Sequence, residues 1–172
     1  VSLFGIGEAP ISVSSSPTMK GGFELVVRKV GNVTGVMHGL KAGAKVGIRG
    51  PFGTNFPFAE TRGRDILFVA GGIGLVPARS FINYVLDNRK DYGRVMILFG
   101  ARTPADRLFT DELAAWAGRK DVEFLETVDR GDGDGRPDVA DHRLPAVDGG
   151  AHDPRAGAAG DQHRRGSGQD GS

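Results

Sequence analysis

Between Asp65 and Val128 the chain switches between two hydrophobic periods. Ile66-Leu67-Phe68-Val69-Ala70 is an unbroken apolar run, the pattern of a strand covered on both faces. Phe81, Ile82, Val85 and Leu86 follow at helical spacing. Val95-Met96-Ile97-Leu98-Phe99 then supplies a second buried strand, after a crossover of about 24 residues that is long enough for a βαβ unit. A helical turn is predicted at Thr103-Pro104-Ala105-Asp106, and a helix over Leu108 to Ala117 with Leu113 and Trp116 on its core stripe. A third strand is predicted around Val122, Phe124 and Leu125. Residues 63–128 therefore read as an α/β parallel-sheet part. It is truncated, because a complete nucleotide-binding sheet has about five or six strands.

The preceding stretch has a different rhythm. Phe23, Leu25 and Val27 alternate with Glu24, Val26 and Arg28, and Val46 and Ile48 repeat the period of two. Glycines and prolines interrupt at short intervals, among them Pro17, Gly21, Gly31, Gly43, Gly50 and Pro57. Short antiparallel strands joined by turns give this pattern, so residues 1–62 are expected to form a partial β-barrel.

Composition isolates the end of the chain. All 13 aromatic residues precede Asp129, and residues 129–172 offer only Val139, Leu144 and Val147 as hydrophobes larger than alanine. Too little surface is available there to offset the entropy of ordering, so a disordered low-complexity tail is expected. The loss of aromatics, lysine and glutamate together reads as an out-of-frame or otherwise non-native continuation.

Lysine plus arginine (22) nearly balances aspartate plus glutamate (21). No net field draws the chain to nucleic acid or anionic lipid. With no cysteine it has no disulfide, no thiol nucleophile and no iron-sulfur ligand of its own. The longest uncharged apolar stretch, Ile66 to Ala78, carries three glycines and a proline and falls short of the roughly 20 residues a membrane span needs. The start at Val1, without a methionine or a basic-then-apolar leader, is read as a fragment without a signal peptide, and a cytoplasmic location is expected. His142, His152 and His163 lack zinc spacing, and no metal site is expected.

Glycine is the loudest signal, at 28 residues. Gly71-Gly72-Ile73-Gly74-Leu75-Val76-Pro77 lies directly after the first buried strand and opens the first helix. Glycines there let backbone N–H groups approach a phosphate, and the helix dipole favours its charge. Proline suits the first helical turn, since its missing N–H has no intrahelical partner to lose. A purely structural tight turn is the other reading. Gly31-Asn32-Val33-Thr34 is either a turn or the start of a short helix, Thr34 to Leu40, whose N-terminus holds a second phosphate group. Ser12, Ser14, Ser15 and Ser16 are either a polar strand end or a hydroxyl-lined wall beside a polar ring.

Gly-Gly-x-Gly-x-x-Pro-x-Arg-Ser after a buried strand, preceded by Gly-x-x-Thr and Arg-Gly-Pro-Phe-Gly, resembles the ferredoxin-NADP reductase superfamily of flavoproteins. Phe4 to Ser12, Gly50 to Pro57 and Phe99 to Thr103 are similar to the gamma subunit of cytosolic nickel-iron hydrogenases (sulfhydrogenases) and to its counterpart in anaerobic sulfite reductase. The resemblance implies a flavin barrel followed by a pyridine-nucleotide domain, with FAD and NAD(P)H as cofactors. It also implies an oxidoreductase subunit that passes hydride and electrons between NAD(P)H and FAD, and on to iron-sulfur and catalytic partner subunits.

The resemblance assigns Ala9-Pro10-Ile11-Ser12 to the superfamily's Arg-x-Tyr-Ser flavin motif, placing Pro10, Ile11 and Ser12 at the flavin, with Ser12 nearest the isoalloxazine as the catalytic candidate. Ala9 and Ile11 stand where the family has arginine and tyrosine. Gly31 and Thr34 match the flavin pyrophosphate turn, with Val27 and Arg28 on the adjoining strand. Gly71, Gly72, Gly74 and Pro77 match the nicotinamide-side phosphate turn, and Gly100, Ala101 and Arg102 the loop along the dinucleotide. Arg102 leaves NAD against NADP open. Family members bind an iron-sulfur centre through a cysteine cluster near the C-terminus, and those ligands are absent from this chain. A catalytically incomplete remnant, at most binding flavin or nucleotide, is therefore the alternative function.

Overall fold

The computed structural model describes residues 1–129. The expected disordered tail, with Arg130 onward, lies outside them.

The parallel sheet has the elements that periodicity predicts. Strand β3 (Ile66–Gly71) pairs with β4 (Val95–Ala101), and β4 pairs with β5 (Glu123–Val128), both in parallel, so β4 is central. Helix α2 (Leu75–Asp87) makes the first crossover and α3 (Thr110–Ala117) the second. The helical turn expected after Thr103 is present at Pro104–Asp106. Helix α3 begins two residues later than expected. Its preceding residue, Phe109, sits in the left-handed region at φ 56°, which ends the extended chain and starts the helix.

The core lies on one face of this sheet. Phe68, Val95, Ile97 and Phe99 pack against Leu75, Phe81, Ile82 and Val85 of α2 and Leu113 and Trp116 of α3. The Phe68 ring meets Phe81 edge-on at 5.3 Å, fixing α2 to that face. The other face departs from expectation: Leu67 is 59% exposed and Val69 67%. Parallel crossovers are right-handed, so two successive steps in one direction, β3 to β4 to β5, put both helices on the same side. On β3 the residues alternating with the core set stay uncovered, while Met96 and Leu98 of β4 are half-buried.

Residues 1–62 form less sheet than their alternation predicts. They contain a two-residue antiparallel ladder, β1 (Ser2–Leu3) with β2 (Gly7–Glu8), and two isolated bridges, Ser2 to Gly47 and Val13 to Leu25. Phe23, Leu25 and Val27 thus contribute one bridging residue, and Val46 and Ile48 flank another. Glycines in left-handed or related conformations at 5, 7, 21, 43, 50 and 53 break the extended backbone before a ladder lengthens. Helix α1 (Asn32–His38) lies within this stretch and begins two residues earlier than expected.

This first half is nonetheless docked on the second. Phe56 stacks on Phe81 at 5.2 Å, and Phe58 meets Phe81 and Tyr84 edge-on at 5.1 and 4.6 Å, so an aromatic cluster joins this stretch to α2.

Candidate functional site

The nucleotide-side residues converge at the carboxyl edge of the sheet, the position at which open α/β sheets bind ligands. Gly71 ends β3 and stands in register with Gly100 near the end of β4, which in turn faces Thr127 of β5. Ala101 is buried and Arg102 exposed just beyond. The Asp129 amide donates to the Ala101 carbonyl at 3.0 Å and ties the exits of β4 and β5 together. Between β3 and α2 the chain makes a 3-10 turn, Gly72–Gly74, with Gly74 as the cap of α2 and Pro77 in its first helical turn.

The three glycines of this turn differ in what the backbone asks of them. Gly72 has φ 50°, which favours glycine on steric grounds alone. Gly74 has φ −63° and ψ −17°, ordinary helical values, and a Cβ there would meet no protein atom within 4 Å. Gly71 is likewise at φ −127°. A structural turn needs a glycine only at position 72. The glycine at 74 leaves open space in front of the helix, which fits the close approach of a phosphate to backbone N–H groups.

On the flavin side, the expected residues fall in two stretches, residues 10–12 and 27–34, the second running into α1. Pro10, Ser12, Arg28 and Gly31 are exposed, Ile11 and Val27 half-buried, and Thr34 buried. The Thr34 hydroxyl is already engaged: it accepts from the Val30 and Gly31 amides at 3.0 and 2.9 Å and turns its own proton to the Gly31 carbonyl. Thr34 therefore shapes the Gly31 turn. At the other end of α1, the His38 ring Nε2 lies 2.8 Å from the Val27 carbonyl, binding the helix to its adjoining segment.

Within the serine run, the hydroxyls of Ser14 and Ser16 dock the segment onto α2. Ser14 is fully buried and its Oγ donates to the Val76 carbonyl at 2.8 Å. Ser15 Oγ accepts from the Glu24 amide at 3.0 Å. Ser16 donates to Asp87 at 2.8 Å, and Thr18 also bonds Asp87. Ser12 alone of the four serines remains exposed, two residues from the Ser14 anchor.

Sequence reasoning missed the charged cluster at this junction. Arg79 of α2, with 11% of its side chain exposed, bonds Glu112 of α3 through Nε and Nη2 and Glu24 through Nη1 at 2.6 Å. Its guanidinium lies 4.6 Å above the Phe109 ring. The only trace in the sequence is the arginine two residues after Pro77. Burial pushes the Glu112 carboxyl up, but the hydrogen bonds from Arg79 and Asn83 and the Arg79 charge outweigh it and leave Glu112 below its usual range.

That shift predicts a pH dependence. An unfolded glutamate titrates near pH 4.3, so the stabilisation from Glu112 is complete above that value and is lost as pH falls through the lower folded-state value. Glu112→Gln is expected to be less stable at neutral pH, with the gap to the wild type closing as pH drops below about 4.3. Urea midpoints measured across pH check this. A gap that stays constant with pH would contradict it.

Residues 68–143 match the oxidoreductase NAD-binding domain family. The sulfhydrogenase 1 subunit gamma of Pyrococcus furiosus is 46% identical over 129 residues, 73% of this chain and 44% of the relative. This chain thus spans less than half the length of that relative. Among solved structures, the cytochrome b5 reductase domain of Ulva prolifera nitrate reductase aligns with a TM-score of 0.56 and 26% identity, covering 70% of this chain and 53% of that one. A ferredoxin-NADP+ reductase from Plasmodium falciparum aligns at 0.51 and 20%, covering 69% and 50%, a likeness of fold. Among the described residues no helix is long and apolar enough to cross a membrane, and no group of three or more metal-ligating side chains occurs.

Proposed function

We propose, for a chain that is kin to the sulfhydrogenase gamma subunits and shares the parallel sheet of ferredoxin reductase-like proteins, that it is a flavin-dependent electron-transfer subunit working with NAD(P)H. The glycine at position 74 carries this reading, because the backbone does not require it and a phosphate does. In this reading Gly71, Gly72, Gly74 and Pro77 receive the pyrophosphate of the nicotinamide nucleotide, and Gly100, Ala101 and Arg102 lie along it. Pro10, Ile11 and Ser12, with Val27, Arg28, Gly31 and Thr34, serve the flavin. Thr34 acts by holding the Gly31 turn, since its hydroxyl is spent on backbone groups.

A bound flavin supplies the exchange between a two-electron hydride donor and single-electron acceptors. The protein's share is to bind, orient and exclude water: the turn at α2 fixes the nucleotide, and the Ser14 anchor ties the segment that carries Ser12 to the start of the same helix. The partners of this reading are iron-sulfur and catalytic subunits of a hydrogenase or sulfite reductase type in the cytoplasm. The chain has no cysteine, so it does not fit an iron-sulfur cluster, and no step runs through one on this chain.

The absent cysteines and the uncovered Leu67 and Val69 favour a second reading, a remnant that binds nucleotide or flavin without turnover. Absorbance of the purified chain separates the two. Added FAD that is retained through desalting and bleached by NADH or NADPH under anaerobic conditions supports the enzyme. Nucleotide binding without bleaching supports the remnant.

A further inference from the structure

We propose that Arg79 is a positioning residue that fastens the flavin-side segment to the nucleotide-side helices and so sets where Ser12 stands relative to the Gly71–Gly74 turn. The functional half of this proposal rests on the reading above; the mechanical half does not.

The guanidinium presents its donors in a rigid planar fork, and here the fork is divided between two halves of the chain. Nε donates to Glu112 Oε2 at 2.8 Å and Nη2 to Oε1 at 2.5 Å, a bidentate grip on α3. Nη1 turns the other way, to Glu24 Oε2 at 2.6 Å and to the Ser14 carbonyl at 3.2 Å. The Phe109 ring closes the remaining side, held in a left-handed conformation that a bulky residue seldom adopts. Asn83 of α2 adds a bond to Glu112 at 3.2 Å, so Glu112 keeps one tie to α2 even without the arginine.

Two carboxylates, Glu24 and Glu112, thus share one cation. Taking the cation away removes the bridge between the two segments and leaves both carboxylates without their shared counter-ion. A lysine restores the charge but reaches as a single point and cannot span both carboxylates and the Ser14 carbonyl together.

Ser12 is the residue this clamp places. Two residues of extended chain reach about 7 Å at most, so holding the Ser14 backbone confines Ser12 to that radius. With Arg79 gone, the Ser14 carbonyl loses its bond to α2, and the segment is left to the Ser14 and Ser16 hydroxyl bonds to Val76 and Asp87 and to the Ser14 amide bond to Glu24. A misplacement of about 1 Å at a reacting centre costs roughly 100-fold in rate.

The test compares full-length wild type, Arg79→Met and Arg79→Lys in two ways. Amide hydrogen exchange follows Ser14 and Glu24, whose N–H groups bond Glu24 O and Ser15 Oγ, with the Ile97 and Phe99 amides as internal controls. Steady-state kinetics follow reduction of added FAD by NADH. Arg79→Met is expected to speed exchange at Ser14 and Glu24 about tenfold or more while the β4 amides are unchanged. Its kcat is expected to fall roughly 10- to 100-fold with KM for NADH held within about twofold, and Arg79→Lys should recover part of both. Unchanged exchange at Ser14 and Glu24 overturns the proposal. So does faster exchange spread equally over β4, faster local exchange with kcat intact, or a rise in KM at constant kcat. If wild type reduces no flavin, the functional reading fails, and the exchange arm still decides whether Arg79 is the clamp.

Discussion

Phe99→Ala is expected to lose about 3–5 kcal/mol of stability, enough to leave the chain largely unfolded at ambient temperature if its total lies at the low end of the usual 5–15 kcal/mol. Phe99 sits on the central strand, is fully buried, and faces the helices along with Ile97. Truncating it opens a cavity between α2 and α3 that the flanking strands cannot close, because their backbones are pinned in register on both sides of β4. The buried Trp116 reports the loss directly through its fluorescence. A variant that keeps the wild-type emission and urea midpoint would show that this core is not the source of the fold's stability.

Gly74→Val separates binding from folding. The backbone at 74 is helical and a Cβ there meets no protein atom. The stability change is therefore expected to stay within about 1 kcal/mol. The same side chain occupies the space where a phosphate would approach. Forfeiting charge-assisted hydrogen bonds from the turn costs about 3 kcal/mol, roughly a 100-fold weaker nucleotide affinity. Calorimetric titration of NADH into both proteins measures it. Equal affinities would mean the turn is structural only.

The α/β half was legible because its signals are local and redundant: α2 carries helical spacing, and the apolar runs of β3, β4 and β5 are too short for helices. Phe109 marks the limit. A left-handed aromatic residue has no sequence signature, and it alone shifts the start of α3. The first half was less legible, since alternation at Phe23–Val27 states which face wants burial but not whether a partner strand lies alongside. Within the candidate site, the Gly71–Gly74 turn was legible as glycines after a strand, and the Gly100 loop only through the family resemblance. Arg79, Glu24 and Glu112 were not, because they are separated by 55 and 33 residues and meet only after folding. For Thr34, the spacing from Gly31 signals the start of a helix, but not that the hydroxyl is engaged with the Val30 and Gly31 backbone groups.

The placement of α2 and α3 on one side of the sheet has a practical consequence. The reverse side, bearing Leu67 and Val69, is oily in composition yet wetted by solvent, and among the described residues β3 offers an unpaired margin beside it. Concentrated samples will cluster through that surface while every strand is still in place. Turbidity in such a preparation is then a colloidal event, to be relieved by dilution or mild detergent, and is no measure of thermal denaturation.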